Sequence, residues 1–396
     1  MKRILVLATG GTISSTPQKN GLAPGMTIEQ LSSFFDRADN EIEFIPTMDK
    51  DSTNIQPEDW LTIGRQILEH PKFDAYIITH GTDTMAYTAS ALSYLLNDLK
   101  KTIVLTGSQI PLSFEHTDAK RNIADALTVA SKADFPGVYL VFDGQVIAGT
   151  RAVKVKSHSF DAFASINFPV VAKVENNQLE KKYNPTFNPA AFKTKFSLDT
   201  NVYLLKAFPG LSANFFDFVL KEKAGLIVES FGNGGLPDIG RDLVSGVKSL
   251  SNANLPVIIT TQIMNEGQDI SLYEVGQKVA AAGGITSGDM NTEAIAAKLM
   301  WAMAQTKDLS QIKKNHTNPY RPRFRSAINL KRSTKVLLFK LMGTILTDIN
   351  YLIGLSSYKA VMCCNNHNFT HIGQMTKTLH NDLCVLKIKR ISWLIG

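Results

Sequence analysis

The stretch that decides the fold is ILVLATGGTI, residues 4–13, close to the start of the chain. Its first five residues are apolar without polar alternation, which is typical of a central parallel strand buried on both faces. Two glycines follow, Gly10 and Gly11, and they allow the strand to end in a tight turn. The stretch therefore predicts a buried first strand whose carboxyl end carries Thr12.

Further apolar runs alternate with helical patterns in the first half of the chain. The runs lie at residues 75–78, 102–105 and 137–142. The helical patterns lie at residues 57–70, 84–99 and 117–131. This alternation predicts a doubly wound α/β domain. Ligands bind beyond the carboxyl ends of the strands in such sheets, so the site is expected at residues 9–12, 79–84 and 106–109.

The second half of the chain repeats the alternation on a smaller scale. Strands are predicted at residues 202–205, 226–229 and 257–261, and helices at 239–250, 271–282 and 292–306. The predicted class is α/β, with a larger doubly wound N-terminal domain and a smaller α/β C-terminal domain. The predicted parts are a catalytic domain at 1–180, a linker at 181–200, the smaller domain at 201–313 and an atypical tail at 314–396.

Length and composition indicate a globular protein. The chain has 396 residues, of which 44% are hydrophobic and 19% charged, as is ordinary for a protein with a sizeable core. The sequence has no uncharged apolar run of about 18 residues, the length that a transmembrane helix needs. The apolar run at residues 4–8 is also shorter than the roughly 7–15 residues of a signal-peptide core. We therefore expect a cytoplasmic location and no membrane partner.

The last part of the chain differs in charge. Residues 315–396 hold twelve Lys/Arg against two Asp/Glu, a net charge of +10, whereas the whole chain carries +7. The spacing of the three cysteines, Cys363, Cys364 and Cys384, fits neither a disulfide framework nor a metal site. We favour an appended or non-native C-terminus, such as a frameshifted reading frame. A basic arm that binds nucleic acid or a membrane is the functional alternative.

The first candidate motif is ATGGTI, residues 8–13. Paired glycines let backbone N–H groups approach a ligand, and the Thr12 hydroxyl can attack an electrophile. A neighbouring N–H, which we assign to Gly11, can stabilise the oxyanion that forms. A plain turn or a phosphate cradle is the alternative. The motif lacks the G-x-G-x-x-G spacing and has no lysine after the glycines, so we predict no nucleotide cofactor, and no other cofactor.

The second candidate motif is THGTDTM, residues 79–85, which leaves a strand expected to neighbour the first one. The Thr82 hydroxyl beside the Asp83 carboxylate can orient a water or relay a proton. Asp83 taken alone would be interpreted as a helix cap. His80 is a single histidine for which the sequence shows no catalytic partner, and we interpret it as structural rather than as a general base.

Together the two motifs resemble the signature motifs of the bacterial-type asparaginase/glutaminase family, in particular its cytoplasmic type I members. The similarity covers about residues 2–313 and stops where the composition changes. Several more segments match in the same order, at residues 48–54, 105–111, 117–122, 160–163 and 283–290.

The resemblance implies catalytic roles for individual residues. Thr12 resembles the nucleophile that attacks the side-chain amide carbon of asparagine, which gives a β-aspartyl enzyme and releases ammonia. Thr82 resembles the second threonine, which works with Asp83 and a lysine. That lysine is expected to be Lys154, because its distance to the Asp-Ala-Phe stretch matches the family. Lys156 is the fallback, and either could be only a solvated charge at a strand edge.

The resemblance also implies a substrate-binding loop. Asp51, Ser52 and Thr53 resemble the residues that hold the α-carboxylate and α-amine of the substrate, together with Thr82 and Asp83. Residues 51–54 also fit a polar turn that caps the helix beginning at Pro57, and both roles are compatible. The implied activity is that of an L-asparaginase, with weaker action on glutamine.

One loop departs from the family. Many members place a tyrosine after the first motif, whereas residues 17–25 read PQKNGLAPG here. Some branches of the family show this form, so activity is still expected. Gly21 and Gly25 are the predicted hinges of the loop. Activation of Thr12 is then expected to depend more on the other catalytic groups.

The family implies partners as well. Its members assemble so that a partner's second domain completes each site, and we expect a homodimer or homotetramer that binds L-asparagine and no nucleic acid. Two alternatives stay within the fold: a glutaminase-asparaginase, and the amidase subunit of a transfer-RNA amidotransferase, which would normally bring an extra N-terminal domain. A protein that binds nucleic acid or a membrane through its basic tail is the alternative from a different class.

Overall fold

The structure is a computed structural model that describes residues 1–19, 21–36, 39–183 and 194–317. The predicted tail lies outside the described residues from position 318 onward. The predicted linker does so between positions 184 and 193. None of the helices in the described part is long and apolar enough to cross a membrane.

We number the strands and helices of the described residues in chain order. The strands are β1 (Lys2–Gly10), β2 (Ser15–Gln18), β3 (Gly21–Pro24), β4 (Asn40–Lys50), β5 (Ala75–Thr79), β6 (Thr102–Thr106), β7 (Gly137–Phe142), β8 (Gln145–Ala148), β9 (Ala152–Lys154), β10 (Phe163–Ser165), β11 (Ala172–Glu175), β12 (Gln178–Lys181), β13 (Val202–Lys206), β14 (Gly225–Ser230), β15 (Val257–Thr261) and β16 (Ile285–Thr286). The α-helices are α1 (Ile28–Ser32), α2 (Pro57–Glu69), α3 (Met85–Leu95), α4 (Ala119–Lys132), α5 (Asn214–Glu222), α6 (Val244–Asn252), α7 (Glu274–Ala281), α8 (Thr292–Gln305) and α9 (Leu309–Thr317). Two short 3₁₀ helices cover Thr12–Ser14 and Ser52–Asn54.

The N-terminal domain is built on an eight-stranded sheet with the order β12-β11-β8-β7-β6-β5-β1-β4. Its five strands from β4 to β7 run parallel to one another. The remaining three strands, β8, β11 and β12, pair in antiparallel fashion. The predicted runs correspond to β1, β5, β6 and β7, which form the centre of this sheet.

Each face of the central sheet buries its own apolar core, because side chains alternate along a strand. Leu5 and Leu7 of β1 point into one core, which α2 and α3 cover. Ile4 and Val6 point into the other core, which α1 and α4 cover. Helices on both faces make the domain doubly wound, and the predicted class is confirmed.

The C-terminal domain is a parallel four-stranded sheet with the order β13-β14-β15-β16. One face packs on α5, α6 and α7 in a third core. The other face contributes Ile227 and Ile258 to the first core of the N-terminal domain, together with Leu299 and Trp301 of α8. The two domains therefore share apolar contacts, including Trp301 stacked on Tyr94 of α3 with ring centroids 6.1 Å apart.

Several predicted helix boundaries were wrong by a few residues. The helix predicted from 239 begins at Val244, because Gly240 has a φ of +73° and the chain turns there. The helix predicted at 84–99 ends at Leu95, and the one predicted from 271 begins at Glu274. The strands of the hairpins, β2, β3 and β8 to β12, were not predicted, since each is only three or four residues long.

Candidate active site

The two glycine-containing turns lie side by side at the carboxyl edge of the large sheet. β1 and β5 are parallel neighbours, with Ala8 opposite Thr79. The turns after them touch through their backbones: a Cβ on Gly11 would lie 2.3 Å from the nitrogen of Gly81. Gly11 also has a φ of +80°, which disfavours other residues. Glycine at this position is what lets the two turns pack together.

Thr12 is half-buried and opens the first 3₁₀ helix. The carbonyl of Gly11 accepts hydrogen bonds from the Ser14 nitrogen at 3.1 Å and the Ser15 hydroxyl at 3.0 Å, which fix this turn. Within the described part of the chain, no residue makes a hydrogen bond with the Thr12 hydroxyl. The backbone of the turn is therefore fixed, while the Thr12 hydroxyl is available to a ligand.

Lys154 joins the second motif from a different part of the sequence. Its Nζ donates to the Thr82 hydroxyl oxygen at 2.7 Å and to an Asp83 carboxylate oxygen at 2.6 Å. The side chain of Lys154 is 19% exposed, whereas that of Asp83 is 53% exposed. The lysine is therefore enclosed by the site, while the carboxylate keeps an open side that can bind a ligand.

Lys156 is in a different environment from Lys154. Its side chain is exposed and pairs with Asp161, in the segment that links β9 to β10. The structure thus brings Lys154, and not the fallback Lys156, into contact with Thr82.

The predicted substrate loop forms the second 3₁₀ helix, which Asp51 caps. The Asp51 carboxylate accepts hydrogen bonds from the backbone N–H and the hydroxyl of Thr53, at 2.8 and 2.7 Å. Ser52 is buried against Gly81, where a Cβ would lie 2.6 Å from its Oγ. Its carbonyl accepts a hydrogen bond from the Thr84 hydroxyl at 2.6 Å. These contacts place the loop directly beside the second motif.

The N–H of Gly11 is engaged in this structure. It donates to the Lys50 carbonyl oxygen at 2.9 Å, as part of the pairing between the ends of β1 and β4. Any role in stabilising an oxyanion would require Gly11 to exchange this bond. The N–H of Thr12 follows at the first position of a 3₁₀ helix, where backbone N–H groups lack partners within the helix.

His80 is a structural residue of the second turn. It is fully buried, with Nδ1 2.7 Å from the Gly81 carbonyl and Nε2 2.8 Å from the Thr88 hydroxyl. Burial lowers the pKa of His80 to about 4, and the hydrogen bond to Gly81 opposes this shift only in part. The ring therefore stays neutral and holds the turn, as its sequence context suggested.

Two residues of the site were missed in the sequence. Gln109 follows β6, and its Oε1 accepts a hydrogen bond from the Thr82 hydroxyl at 3.1 Å. The buried carboxylate of Asp118 binds the backbone N–H of Gln109 at 2.9 Å. The signal was present in part, because residues 106–109 were expected at the site edge. Which side chain would reach Thr82 could not be inferred from spacing.

The loop after the first motif is a β-hairpin made of β2 and β3. Gly21 has a φ of +122° and begins β3, and the Gly25 nitrogen donates to the Ser14 carbonyl at 3.1 Å. The hairpin is thus anchored next to Thr12.

The fold and the site define a two-domain α/β protein with a site that contains threonine and lysine at the edge of its larger sheet, and comparison with known proteins gives the family. The chain matches the family model "Asparaginase, N-terminal" over residues 3–187 and "Glutaminase/Asparaginase C-terminal domain" over residues 201–315. It is 40% identical to an L-asparaginase of Thermococcus kodakarensis, over 79% of this chain and 96% of that protein. It is 33% identical to L-asparaginase 1 of Escherichia coli K12, over 79% of this chain and 95% of that protein.

A solved structure agrees with the sequence relatives. The thermostable L-asparaginase from Thermococcus kodakarensis superposes with a TM-score of 0.77 at 39% identity, covering 82% of this chain and 100% of that one. The chain therefore belongs to the asparaginase family.

Proposed function

We propose that the protein is an L-asparaginase, which hydrolyses L-asparagine to L-aspartate and ammonia through a β-aspartyl ester on Thr12. The observation that carries the proposal is the Lys154–Thr82–Asp83 cluster, whose bonds of 2.7 and 2.6 Å lie at the same sheet edge as the Gly11–Thr12 turn. Relatives named L-asparaginase, at 40% and 33% identity, support the choice of substrate.

The proposed reaction has two steps. In the first step, Thr12 Oγ attacks the side-chain amide carbon, and its proton passes through nearby groups to the amide nitrogen, which leaves as ammonia. In the second step, water attacks the ester carbon and the proton returns to Thr12 Oγ. Thr82 and Lys154 are the proposed proton-transfer groups, since their heavy atoms lie 2.7 Å apart.

Charge and position support a role for Asp83 in substrate binding. The carboxylate is bound by Lys154 on one side and is otherwise about half exposed, so it can attract the α-ammonium group of an amino acid. Asp51 adds a second carboxylate nearby, and Ser52 and Thr53 supply polar groups for the α-carboxylate. The N–H of Gly11, released from the Lys50 carbonyl, or the N–H of Thr12 would donate to the developing oxyanion.

The lack of a tyrosine in the hairpin bears on how Thr12 is activated. The side chains of β2 and β3 offer only Ser15, Thr16 and Gln18 as polar groups. The proposal therefore assigns activation to Thr82 and Lys154.

The proposed assembly is a homodimer or homotetramer in which a partner's smaller domain completes each site, and the proposed location is the cytoplasm.

A glutaminase-asparaginase and an amidase subunit of a transfer-RNA amidotransferase are the alternatives within the fold. Binding of nucleic acid or membranes through residues 315–396 is the alternative of a different class, and its evidence is charge alone.

The test is ammonia release from asparagine and from glutamine over a range of concentrations. We expect turnover with asparagine, weaker turnover with glutamine, and loss of both in Thr12→Ala. A protein truncated after residue 317 should keep the activity if the basic tail has no part in the chemistry. Full activity in Thr12→Ala would contradict the proposed nucleophile. A preference for glutamine over asparagine would favour the glutaminase-asparaginase.

A further inference from the structure

The amide of Gln109 is held at both of its ends. Its Oε1 accepts from the Thr82 hydroxyl at 3.1 Å, and its Nε2 donates to the Ser159 carbonyl oxygen at 3.3 Å. The same Thr82 oxygen accepts from Lys154 Nζ at 2.7 Å. Gln109 is therefore the last member of a hydrogen-bonded chain that starts at the lysine.

The backbone of Gln109 is fixed from the other side. Its N–H donates to both carboxylate oxygens of Asp118, at 3.1 and 2.9 Å, and the Ile110 N–H donates to one of them at 3.0 Å. Asn122 also donates to Asp118, at 3.1 Å. Asp118 is only 6% exposed, so these bonds are shielded from water. The turn can thus present the Gln109 amide at one position.

The same turn packs directly on the second motif. A Cβ on Gly107 would lie 2.2 Å from the His80 carbonyl oxygen, so only glycine permits this approach. His80 in turn is buried between Gly81 and Thr88, as described above. The backbone turns that carry Gln109 and Thr82 are therefore packed against each other, which sets the separation of their side chains.

A threonine hydroxyl has one proton and two lone pairs. When the Lys154 ammonium donates to Thr82, the hydroxyl proton has to point to another acceptor, and Gln109 Oε1 is that acceptor. Without this acceptor the hydroxyl can rotate, and its lone pair is no longer directed at the lysine.

We propose that Gln109 is a positioning residue that orients the Thr82 hydroxyl for proton exchange with Lys154. The proposal rests on the proposed function and assigns Gln109 no contact with the substrate or the reacting atoms. Asp118 supports this role by holding the backbone of Gln109.

The test compares two substitutions of similar length. Gln109→Met removes both amide hydrogen bonds, and we expect kcat for asparagine to fall about tenfold, as for one lost hydrogen bond in a site. KM should change less than twofold and the thermal unfolding midpoint should stay unchanged. Gln66→Met, at a half-buried position of α2 outside the site, is the matched control, with no expected change in any of these quantities.

Gln109→Glu restores an oxygen acceptor for Thr82 and adds a negative charge. We expect most of the lost kcat to return at alkaline pH. The rising limb of kcat against pH should move to higher pH, because a nearby negative charge favours the protonated form of an amine. The recovery of kcat in Gln109→Glu, after its loss in Gln109→Met, is the result that a purely structural residue would not produce.

Three results would overturn the role of Gln109: full kcat in Gln109→Met, a parallel loss of kcat and thermal stability that Gln109→Glu does not restore, or an unshifted pH profile in Gln109→Glu. Thr12→Ala is measured in parallel on the same chain. Full activity in Thr12→Ala would instead overturn the proposed function, so the two failures can be distinguished.

Discussion

The carboxyl edges of the two parallel sheets both carry polar groups, but they are built differently. At the edge of the large sheet, Lys154 donates to a threonine hydroxyl and to a half-exposed carboxylate. At the edge of the small sheet, Glu229 accepts from the Thr292 hydroxyl at 2.7 Å, and Lys206 stays 4.0 Å away. That second edge lines a cleft of about 300 Å³ that also contains Glu293.

The difference lies in what each edge can do with a proton and a nucleophile. The large sheet combines a lysine, two threonines and a carboxylate next to a turn that only glycine permits. The small sheet brings two carboxylates together, and burial, followed by repulsion from Glu229, raises the pKa of Glu293 to about 7. The two edges therefore differ in the groups that they bring together, and the pairing of Lys154 with Thr82 is the distinguishing feature of the large-sheet edge.

The largest expected effect is on kcat, and it should separate the two lysines near the large-sheet edge. Lys154→Met should lower kcat for asparagine by about 10³-fold or more, because it removes the group bonded to both Thr82 and Asp83. Lys156→Met, two residues away in the exposed linking segment, should leave kcat within about twofold, since Lys156 forms only an exposed ion pair with Asp161. The rate of ammonia release from asparagine, measured for both variants, checks this prediction. Equal losses of kcat would show that activity does not depend on the contact between Lys154 and Thr82.

The next effect concerns the turns at the two edges. In Gly11→Ala, the new Cβ would lie 2.3 Å from the Gly81 nitrogen at a φ of +80°, and we expect the free energy of unfolding to fall by about 2–4 kcal/mol. Gly232, beside the small-sheet edge, has a φ of +50° and nothing within 4 Å of such a Cβ, so Gly232→Ala should cost about 1 kcal/mol. Urea unfolding of both variants gives the comparison.

Equal costs in these two variants would mean that the close approach of Gly11 to Gly81 does not constrain the large-sheet edge. A Gly11→Ala protein with normal stability but no activity would also separate packing from chemistry.

The smallest effect is a pH dependence at the small-sheet edge. Because the pKa of Glu293 in the folded protein is raised to about 7, folding favours its protonated form. Its contribution to stability is therefore present below about pH 4.5 and is lost as the pH rises through about 7. Glu293→Gln should remove this loss. Between pH 4.5 and pH 8, the free energy of unfolding of the variant should therefore rise by about 1–3 kcal/mol relative to that of wild type.

Chemical unfolding at these two pH values measures the effect. Glu69→Gln, at the exposed end of α2, is the control and should follow wild type. If Glu293→Gln and wild type lose the same free energy of unfolding between pH 4.5 and pH 8, the pKa of Glu293 is not raised in the folded protein.

The sequence predicted the parts of the fold that depend on apolar patterning. Strands β1, β5, β6 and β7 are buried on both faces, so each appears as a continuous apolar run. The hairpin strands were missed because they are short and partly solvated, as in β11, where Lys173 and Glu175 are exposed.

For the site, residues on the turns after β1 and β5 could be predicted because a strand end fixes where its following turn lies. Lys154 was preferred to Lys156 from the family spacing, because the local pattern alone gives two lysines near the end of one short strand. Gln109 was missed because its contact with Thr82 joins two turns that are 27 residues apart in the chain. Such pairs depend on how strands are ordered in the sheet.

The central claim is that the large-sheet edge forms an ester on Thr12. The most direct measurement is rapid acid quenching of the enzyme during asparagine turnover, followed by mass spectrometry of its peptides. We predict a β-aspartyl group on the peptide that contains Thr12, and its absence in Thr12→Ala. An aspartyl group on Thr82 or on any other residue, or undiminished turnover in Thr12→Ala, would contradict the account.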